Sequence, residues 1–419
     1  MTSAEFKAVC QEALKKIKPT IKETKLLQEL TNSVIDSITF CSKQISIKVK
    51  DAIPGGSFAK GTNLKGDSDI DLFVRVITEQ RDDLKNFVFS VKSCLESTLK
   101  SEAIIAYAEN PYLAFDLKKN DMLAHVDIVP VAFAKDVHEL PKALKISGMA
   151  RSPFHTLYAR EKLNDAMRDE VRLLKYFLKK KRAYGVFGFT GWLSELLIIH
   201  YGTFENVLRN ADEIVHLRLD IEGRFSPREL ERMFPSDRIV ILDPIDSRRN
   251  AAAGIQGFIG ELKLIRFRNS AKEAINNPQK TFVEWPIRGN VTVEFMPKDL
   301  KTIPPENYLT SLGHIALALK NSLEQYGYIL KDAYICEKPY LLYLLVEPNR
   351  LEKYVLKGPP VNMKNAVSRF LKAHKDDYVY IEHGRYYAKK APKYRTNKEA
   401  VTGILKRMSF KLFKTFKVL

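Results

Sequence analysis

The chain has few cysteines, and their placement excludes several kinds of site. Among its 419 residues there are four, Cys10, Cys41, Cys94 and Cys336. They lie far apart and show neither the spacing of a zinc site nor that of a redox motif. We therefore expect four reduced thiols in a cytoplasmic protein.

Long apolar runs are absent as well. No stretch approaches the roughly 18 consecutive apolar residues that cross a bilayer, and the first residues lack the apolar block of a secretory signal. A hydrophobic content of 45% and a charged content of 28% are typical of a globular protein. The length allows about two to four domains and a substantial core.

Acidic residues are too few to balance the basic ones. The sequence holds 68 Lys and Arg against 50 Asp and Glu, a formal net charge of +18. An excess of that size predicts a polyanionic partner, and nucleic acid is the simplest one. An anionic membrane surface is the alternative, but the sequence shows neither an amphipathic anchor helix nor a lipidation signal.

One short stretch is dense in glycine, small polar residues and aspartate. Residues 55–74 read GGSFAKGTNLKGDSDIDLFV. Asp69 and Asp71 are two residues apart at the start of a strand-like apolar run. Their carboxylates therefore share one face of the strand, while Ile70 and Leu72 share the other.

Two carboxylates at this spacing raise each other's pKa unless a cation relieves the repulsion, and oxygen-only ligands suit Mg²⁺. Upstream, the small residues around Gly56 and Ser57 allow backbone N–H groups to approach an anion at a helix start. The stretch predicts a phosphate-binding loop beside half of a metal site, which indicates phosphoryl or nucleotidyl transfer. The competing interpretation is structural, since a lone Asp-x-Asp is common in turns and helix caps.

Asp127 is the candidate for a third carboxylate. It lies within the apolar run 122–133, where an unpaired charge is costly. One explanation is a salt bridge to a basic residue, and the other is a metal ligand from a strand adjacent to the aspartate pair. His125 shares its face by period two and is expected to be supporting or exposed. Asp116 and Asp121 lie nearer strand ends and receive no role.

Hydrophobic periodicity predicts the remaining elements. In the first part of the chain we expect two helices within 1–45 divided near Pro19, a helix at 80–100, strands at 45–53, 103–109, 112–118 and 122–133, a loop at 147–160, and helices at 161–181 and 192–201. Beyond these we expect a strand at 239–243 and a helix after it, then strands at 291–296, 340–347 and 378–383 and helices at about 307–325 and 361–374. The predicted domains are 1–150, 151–277 and 278–419.

The C-terminal segment 385–419 is strongly basic and rich in aromatics. Glu399 is its sole acidic residue. Basic residues interleaved with aromatic rings suit an RNA backbone and exposed bases. The alternative is an amphipathic terminal helix in which Ile404, Met408 and Leu412 are packed and the lysines are merely solvated.

Several motifs together resemble a known family. The stretch 55–74 resembles the signature of the polymerase-β-like nucleotidyltransferase superfamily, with Gly-Ser, a basic residue, Gly-Thr and then Asp-x-Asp. Farther along, SPFHT, LLKYF, the AYG and GFTGWLSELLIIHYGTF block and DPIDSRRN look like the central-domain motifs of the archaeal-type (class I) CCA-adding enzymes, in that family's order.

The resemblance implies a multidomain α+β fold. It implies a polymerase-β-like catalytic palm in 1–150, a helical neck in 151–277, and an α+β body and tail in 278–419 that bind tRNA. It also implies addition of C, C and A to the 3′ terminus at the acceptor end of tRNA, from CTP and ATP and without a template. Mg²⁺ in a two-metal site and a homodimer belong to the same expectation.

Carried over residue by residue, the resemblance assigns Asp69, Asp71 and Asp127 to catalysis and metal binding. It assigns nucleotide binding to seven further positions, which are Gly56, Ser57, Lys60, His155, Lys175, Tyr184 and Arg249. Arg248 lies next to Arg249, so the register of the base-reading arginine stays open.

Two positions depart from the family pattern. Lys60 replaces an arginine found in many relatives, which keeps the charge but loses the bidentate fork. Asp69 replaces a glutamate found in some relatives and remains a carboxylate. Two other functions fit the same residues: a poly(A)- or oligoadenylate-type nucleotidyltransferase, and an RNA-binding protein without catalysis. The intact carboxylates argue against the second.

Overall fold

The structure is a computed structural model that describes residues 3–107, 110–136, 139, 148–299 and 303–419. The chain separates into two compact units. The first contains the residues before Gly257 and the segment Lys263–Trp285, and the second contains Gly257–Leu262, Pro286–Asp299 and Pro305–Leu419. Both contain helices and strands, in agreement with the predicted α+β class.

The first unit begins with the two predicted helices, α1 (Ser3–Ile17) and α2 (Ile21–Ser42). Thr20 is the N-cap of α2. Its side chain accepts a hydrogen bond from the Glu23 N–H, and the Glu23 carboxylate accepts one from the Thr20 N–H. This reciprocal capping box satisfies backbone donors that the first turn of α2 leaves unpaired.

A five-stranded mixed sheet follows, in the order β1-β2-β5-β4-β3. Its strands and the two helices between them are β1 (Val49–Gly55), α3 (Gly56–Lys60), β2 (Asp69–Val76), α4 (Arg81–Leu99), β3 (Ile104–Tyr107), β4 (Pro111–Lys119) and β5 (Met122–Ala132). The strand predicted at 45–53 begins later, and the last two residues of the one predicted at 103–109 lie outside the described residues.

The two faces of this sheet differ in what covers them. Alternate residues of β2 and β5, such as Ile70, Leu72 and Val126, are buried with the apolar stripes of α2 and α4. The intervening residues point to the opposite face, where Phe73 packs with Val129. The carboxylates of β2 and β5 belong to this second face.

The expectation of four reduced thiols is wrong. Cys41 of α2 and Cys94 of α4 form a disulfide, while Cys10 and Cys336 are free. The two bonded cysteines lie on helices that pack side by side over the sheet. Their spacing in sequence carries no motif, so only the tertiary packing brings them together.

The rest of the first unit is mainly helical. Its elements are α5 (Gly148–Lys162), α6 (Asp165–Lys180), α7 (Gly191–Tyr201), α8 (Phe204–Arg209), α9 (Ala211–Ile214), β6 (Arg218–Leu219), α10 (Pro227–Met233), β7 (Val240–Ile241), α11 (Gly257–Asn276) from Lys263 onward, and a 3₁₀ turn at Pro278–Lys280. Helices α6 and α7 confirm two predictions, and a core rich in Phe and Leu joins them to α1 and α11.

The loop predicted at 147–160 is wrong over the described residues 148–160. These residues belong to α5, with Pro153 inside the helix. Ala150 packs into the core beneath the sheet, and Ala159 packs into the core of the helical region. Burial on both sides stabilises a helix that a proline and a serine argue against locally.

The second unit contains two antiparallel sheets. The first, in the order β14-β8-β10-β9, and the second, in the order β11-β13-β12, are accompanied by three helices. The elements are β8 (Val291–Pro297), α12 (Pro305–Glu324), β9 (Ile329–Cys336), β10 (Leu341–Glu347), β11 (Tyr354–Pro360), α13 (Lys364–Ala373), β12 (Tyr378–Glu382), β13 (Arg385–Lys390), α14 (Asn397–Leu405) and β14 (Phe413–Val418).

The end of the chain is a strand. Ile404 lies at the end of α14, but Met408 and Leu412 lie beyond it, and β14 pairs with β8. Phe413 is buried against Phe295 and Tyr308. The alternative of an amphipathic terminal helix is therefore wrong for the last residues. No helix in the described ranges is both long and apolar enough to cross a membrane.

Candidate active site

Strands β2 and β5 bring the three predicted carboxylates to one place. The strands pair in parallel, with Asp71 directly opposite Asp127 and Asp69 opposite His125. Because side chains alternate along both strands, all of these point to the face that α2 and α4 leave uncovered. The two-residue spacing and the separate Asp127 thus become one cluster of acids.

The fold offsets only part of the negative charge of this cluster. Burial raises the pKa of Asp71 to about 6, and the charges of Asp127 and Asp69 add to the shift. Burial also raises the pKa of Asp69. Carboxylates this close oppose one another's ionisation, and a bound cation would relieve the repulsion.

His125 lies between two carboxylates. Its Nδ1 is 2.9 Å from Asp116 Oδ1, and its Nε2 is 3.3 Å from Asp127 Oδ1. The hydrogen bond with Asp127 has the largest effect on the pKa of His125 and raises it, whereas burial lowers it and Asp116 raises it further. The net result is a pKa raised to about 9. The imidazole is therefore a cation at neutral pH. Asp127 has a basic neighbour and also adjoins Asp71, so its position suits a salt bridge and a third carboxylate alike.

Side chains that could bind a metal are present, but they do not form a complete coordination site among the described residues. Among the described residues, no three His, Cys, Asp or Glu side chains lie close enough together to hold a metal ion. Asp127 Oδ1 is nevertheless buried, and no described residue donates a well-formed hydrogen bond to it. A buried carboxylate oxygen 3.3 Å from the His125 imidazole, beside two aspartates with raised pKa values, has the chemistry that a hard divalent cation requires.

Gly56 places the start of α3 against this cluster. Its φ of +65° lies in the left-handed region, and a Cβ at this position would overlap the carboxylate of Asp71. Only glycine therefore allows the backbone to pass so close to the aspartate. Ser57, next along α3, is half-buried.

A second cluster contains two buried lysines and one buried glutamate. Lys60, at the end of α3, has its Nζ 2.8 Å from Glu195 Oε2. Lys175, on α6, lies 3.6 Å from Glu195 Oε1 and donates to Thr62 Oγ1 at 3.0 Å. The Thr62 hydroxyl donates to Glu195 Oε1 at 2.7 Å. One carboxylate therefore offsets part of the charge of two lysines from different elements.

Glu195 was not among the predicted site residues. Burial opposes its ionisation, but Lys60 and Lys175 outweigh burial and lower the pKa of Glu195. Burial lowers the pKa of Lys175, against the attraction of Glu195. The residue lies inside the apolar run of α7, where a charge needs partners for the same reason as Asp127. The sequence therefore carried a signal for it.

His155 lies beside the lysine cluster. It stacks on Trp192 with ring centres 4.4 Å apart, and the Lys60 ammonium lies 4.9 Å from the centre of the same indole. His155 Nε2 is 2.8 Å from Oδ2 of the buried Asp243. The family resemblance assigns no role to Trp192 or Asp243. Together they fix the plane and the direction of the imidazole.

Tyr184 approaches Lys175 around a glycine. A Cβ on Gly191 would lie 3.2 Å from the Tyr184 hydroxyl and 3.5 Å from Lys175 Nζ. Burial raises the pKa of Tyr184 to about 12, so the hydroxyl keeps its proton at neutral pH. The structure therefore brings Tyr184, Lys175, Lys60 and His155 into one region.

The two neighbouring arginines differ in their contacts. The Arg248 guanidinium is held by the buried Asp246, at 2.9 Å to Oδ1 and 3.2 Å to Oδ2. Arg249 is exposed and contributes its backbone to the turn, through a bond from its N–H to the Asp246 carbonyl at 2.9 Å. Asn250, which follows, is buried and donates to the carbonyl of Ile239.

Three protein-family models match the chain in succession. They are a nucleotidyltransferase domain over residues 37–146, the second domain of a tRNA nucleotidyltransferase over 169–284, and the C-terminal domain of a CCA-adding enzyme over 291–412.

The chain is similar along most of its length to CCA-adding enzymes of archaea. It is 30% identical to that of Saccharolobus solfataricus over an alignment of 407 positions, which covers 91% of this chain and 88% of the relative. It is 29% identical to that of Sulfurisphaera tokodaii over an alignment of 432 positions, which covers 96% of this chain and 92% of the relative. For that of Methanothermobacter thermautotrophicus the identity is 29% over 402 residues, covering 89% and 82%.

Solved structures share the fold at low sequence identity. The terminal uridylyl transferase Cid1 superimposes with a TM-score of 0.53 at 16% identity, covering 68% of this chain and all of that one (100%). A cytoplasmic RNA terminal U-transferase gives a TM-score of 0.52 at 14% identity, covering 68% and 99%. These likenesses show the fold of the shared part.

Proposed function

Because the chain belongs to the archaeal CCA-adding enzymes and is a tRNA nucleotidyltransferase, we propose that it builds or repairs the CCA end of tRNA from CTP and ATP without a template. In each step the 3′-oxygen of the RNA forms a bond to the α-phosphorus, and the bond to the bridging oxygen of pyrophosphate breaks. The observation that carries the proposal is the run of three family matches in one order, including the C-terminal domain of the CCA-adding enzymes.

Asp69, Asp71 and Asp127 would hold Mg²⁺, one ion by all three and a second by Asp69 and Asp71. Mg²⁺ bound there would lower the pKa of the attacking 3′-hydroxyl and neutralise charge on the departing pyrophosphate. The protein's part is to set the acids side by side through the register of β2 and β5. Gly56 leaves room for backbone against them.

Lys60, Lys175 and Ser57 would bind the triphosphate. Both lysines are buried, so a phosphate that reaches them exchanges water for fixed charges in a region of low dielectric constant. Glu195 keeps the free cluster from holding two uncompensated cations. The charge of Lys60 also lowers the pKa of Asp71 against the larger opposing effects, which links the two clusters.

His155 and Tyr184 would contact the phosphates and the sugar. Trp192 and Asp243 hold the imidazole of His155 in place, and the Tyr184 hydroxyl remains a donor at neutral pH. We assign base reading to Arg249, because Asp246 already holds the guanidinium of Arg248. An arginine whose donors are engaged elsewhere reads a base edge poorly.

The acceptor end of tRNA is the proposed RNA partner, and the segments 1–150, 151–277 and 278–419 are the proposed catalytic, neck and body-tail parts. In the second unit, Tyr378, Tyr380 and Tyr387 stack in a row, and the Lys389 ammonium lies within 6 Å of two of these rings, at 5.4 Å and 5.6 Å. Rings and cations in this arrangement suit RNA bases and phosphates. A cytoplasmic location and a homodimer complete the proposal.

The test is a primer-extension assay with a tRNA that lacks its terminal CCA. Purified protein and Mg²⁺ receive CTP alone, ATP alone and then both, beside an Asp69→Ala/Asp71→Ala control. We expect two residues to be added with CTP, a third only when ATP joins, and none in the control.

Two results would overturn the proposal. Long adenylate tails from ATP alone would assign the chain to the poly(A)-type enzymes. Tight tRNA binding without any incorporation would indicate an RNA-binding protein that lacks catalysis.

A further inference from the structure

Lys263, on α11, is a partly buried lysine that the proposed chemistry does not use. Its Nζ donates to the backbone carbonyls of Tyr184 and Val186, each at 2.7 Å. Burial, with a smaller effect from Arg266, lowers the pKa of Lys263 to about 7. Neither acceptor carries a charge, so this ammonium is stabilised by two carbonyl dipoles.

The acceptors belong to a tight turn, residues 183–189, which we call the Tyr184 turn. Two backbone bonds close it, from the Phe189 N–H to the Ala183 carbonyl and from the Gly185 N–H to the Phe189 carbonyl, both 2.9 Å. Phe187 has a φ of +60°, a conformation that a bulky residue adopts only when its surroundings impose it.

The stem of Lys263 also packs on this turn. A Cβ on Gly188 would lie 2.7 Å from Lys263 Cδ and would overlap the Ala183 carbonyl. Lys263 therefore covers one side of the turn with its methylenes and holds two carbonyls with its amine. Both kinds of contact are made to the turn in its strained conformation.

The other end of the Tyr184 turn reaches the lysine cluster. The Tyr184 hydroxyl and the Lys175 ammonium meet beside Gly191, as its Cβ distances of 3.2 Å and 3.5 Å to the two groups indicate. The Lys179 ammonium lies 5.6 Å from the centre of the Tyr184 ring. A movement of the turn would therefore carry the tyrosine away from Lys175.

We propose that Lys263 is a positioning residue for nucleotide binding, which acts by holding Tyr184 in place through the carbonyls of the Tyr184 turn. The proposal rests on the proposed function, since it assigns Tyr184 to the nucleotide. Lys263 itself touches the turn and takes no part in the bond exchange.

The test is steady-state kinetics of Lys263→Met on the CCA-lacking tRNA. Methionine keeps an apolar stem but leaves two carbonyls unpaired, so the turn spends less time in the binding conformation. The apparent affinity for nucleotide falls in proportion to the fraction of molecules whose turn is in the binding conformation. We expect KM for CTP and for ATP to rise about tenfold, the size that the loss of two hydrogen bonds predicts, with kcat and KM for tRNA unchanged.

Lys181 offers a matched control. It is buried, and its Nζ donates to the carbonyls of Lys280 and Val283 at 2.8 Å and 2.6 Å, outside the Tyr184 turn. Lys181→Met removes the same kind of contact, so we expect it to lower Tm and leave KM for nucleotide as it was. Lys263→Arg keeps donors for both carbonyls and should restore most of the affinity, which also provides a test if the methionine variant does not fold.

A double variant with Tyr184→Ala separates the proposal from its rivals. If Lys263 acts through Tyr184, adding Lys263→Met to Tyr184→Ala raises KM no further. An unchanged KM in folded Lys263→Met, or effects that multiply in the double variant, would overturn the inference while the proposed function stands. If the wild type binds CTP without incorporating it, the proposed function fails, and the same comparison is made on the Kd for CTP.

Discussion

Asp71 is largely removed from water and lies beside the carboxylates of Asp127 and Asp69. Its pKa in the folded chain is about 6, against an ordinary value of 3.8. Between those values the folded state binds more protons than the unfolded state, so stability falls as the pH rises through this window. At pH 7 the whole cost is present, on the order of 3 kcal/mol. We expect the free energy of unfolding, measured with urea, to fall less between pH 4 and pH 7 for Asp71→Asn than for the wild type.

The same residue should show the cation directly. At neutral pH Asp71→Asn relieves the repulsion, so we expect it to raise Tm in the absence of metal while abolishing nucleotide addition. Millimolar Mg²⁺ should raise Tm of the wild type more than that of the variant, because binding stabilises only a fold that holds the ion. Equal shifts in the two proteins, read by differential scanning fluorimetry, would argue against a metal at this aspartate.

Removal of the Glu195 carboxylate should destabilise the fold, because it is the shared ion-pair partner of two buried lysines. Glu195→Gln leaves Lys60 and Lys175 without their shared anion, and breaking a buried pair in this way costs about 3–5 kcal/mol. Chemical denaturation measures the change. Glu12→Gln, which removes an exposed partner of Lys15 and Lys16, should cost under about 0.5 kcal/mol. A loss from Glu195→Gln no larger than that would refute the role.

At the scale of elements, the disulfide ties α2 to α4 over the buried face of the sheet. The bridge spans a sequence separation of 53 residues, and a loop of that length corresponds to about 4 kcal/mol of stabilisation in the chain-entropy model. We expect a reducing agent, or Cys94→Ser, to lower the free energy of unfolding by up to this amount. The reductant should have no effect on Cys94→Ser itself. Identical unfolding of the wild type with and without reductant would contradict the prediction.

Elements with a clear period were predictable from the sequence, and elements fixed by distant contacts were not. α4 and α6 carry apolar stripes at helical spacing, and both were expected close to their observed bounds. α5 was missed because Pro153 argues for a break, while burial against two separate cores stabilises the helix.

The candidate site divides in the same way. Asp69, Asp71 and Asp127 followed from spacing and from an internal charge in an apolar run, and the strand register places them together. The partners of Lys60 did not follow, because Glu195 lies 135 residues away and no periodicity relates the two. Lys263 lies outside the quoted motifs, and its acceptors are backbone carbonyls that a sequence does not distinguish.

For the whole molecule, the net charge of +18 should govern how tRNA affinity responds to salt. Each phosphate contact adds to the slope of log K against log salt concentration. We expect Lys389→Ala, which removes the cation above the tyrosine row, to weaken tRNA binding and to reduce that slope by about 0.7–0.9. Filter binding over a salt series measures it. Lys15→Ala, in an exposed pair with Glu12, is the control and should leave the slope unchanged; no change for Lys389→Ala would remove it from the RNA surface.

Because the pairing of β2 with β5 places Asp71 opposite Asp127, the carboxylate cluster can form only after both strands have been synthesised. A ribosome delivers the chain from its N-terminus, so the first two aspartates are made long before the third, and Lys60 is made before Glu195. Until the later residues emerge, the early ones have no partners to pair with, since contacts between distant parts of a chain form only when both parts exist. A polypeptide that stops before Asp127 therefore lacks the third carboxylate, and one that stops before Glu195 leaves Lys60 without its buried partner, so neither should add nucleotides to tRNA.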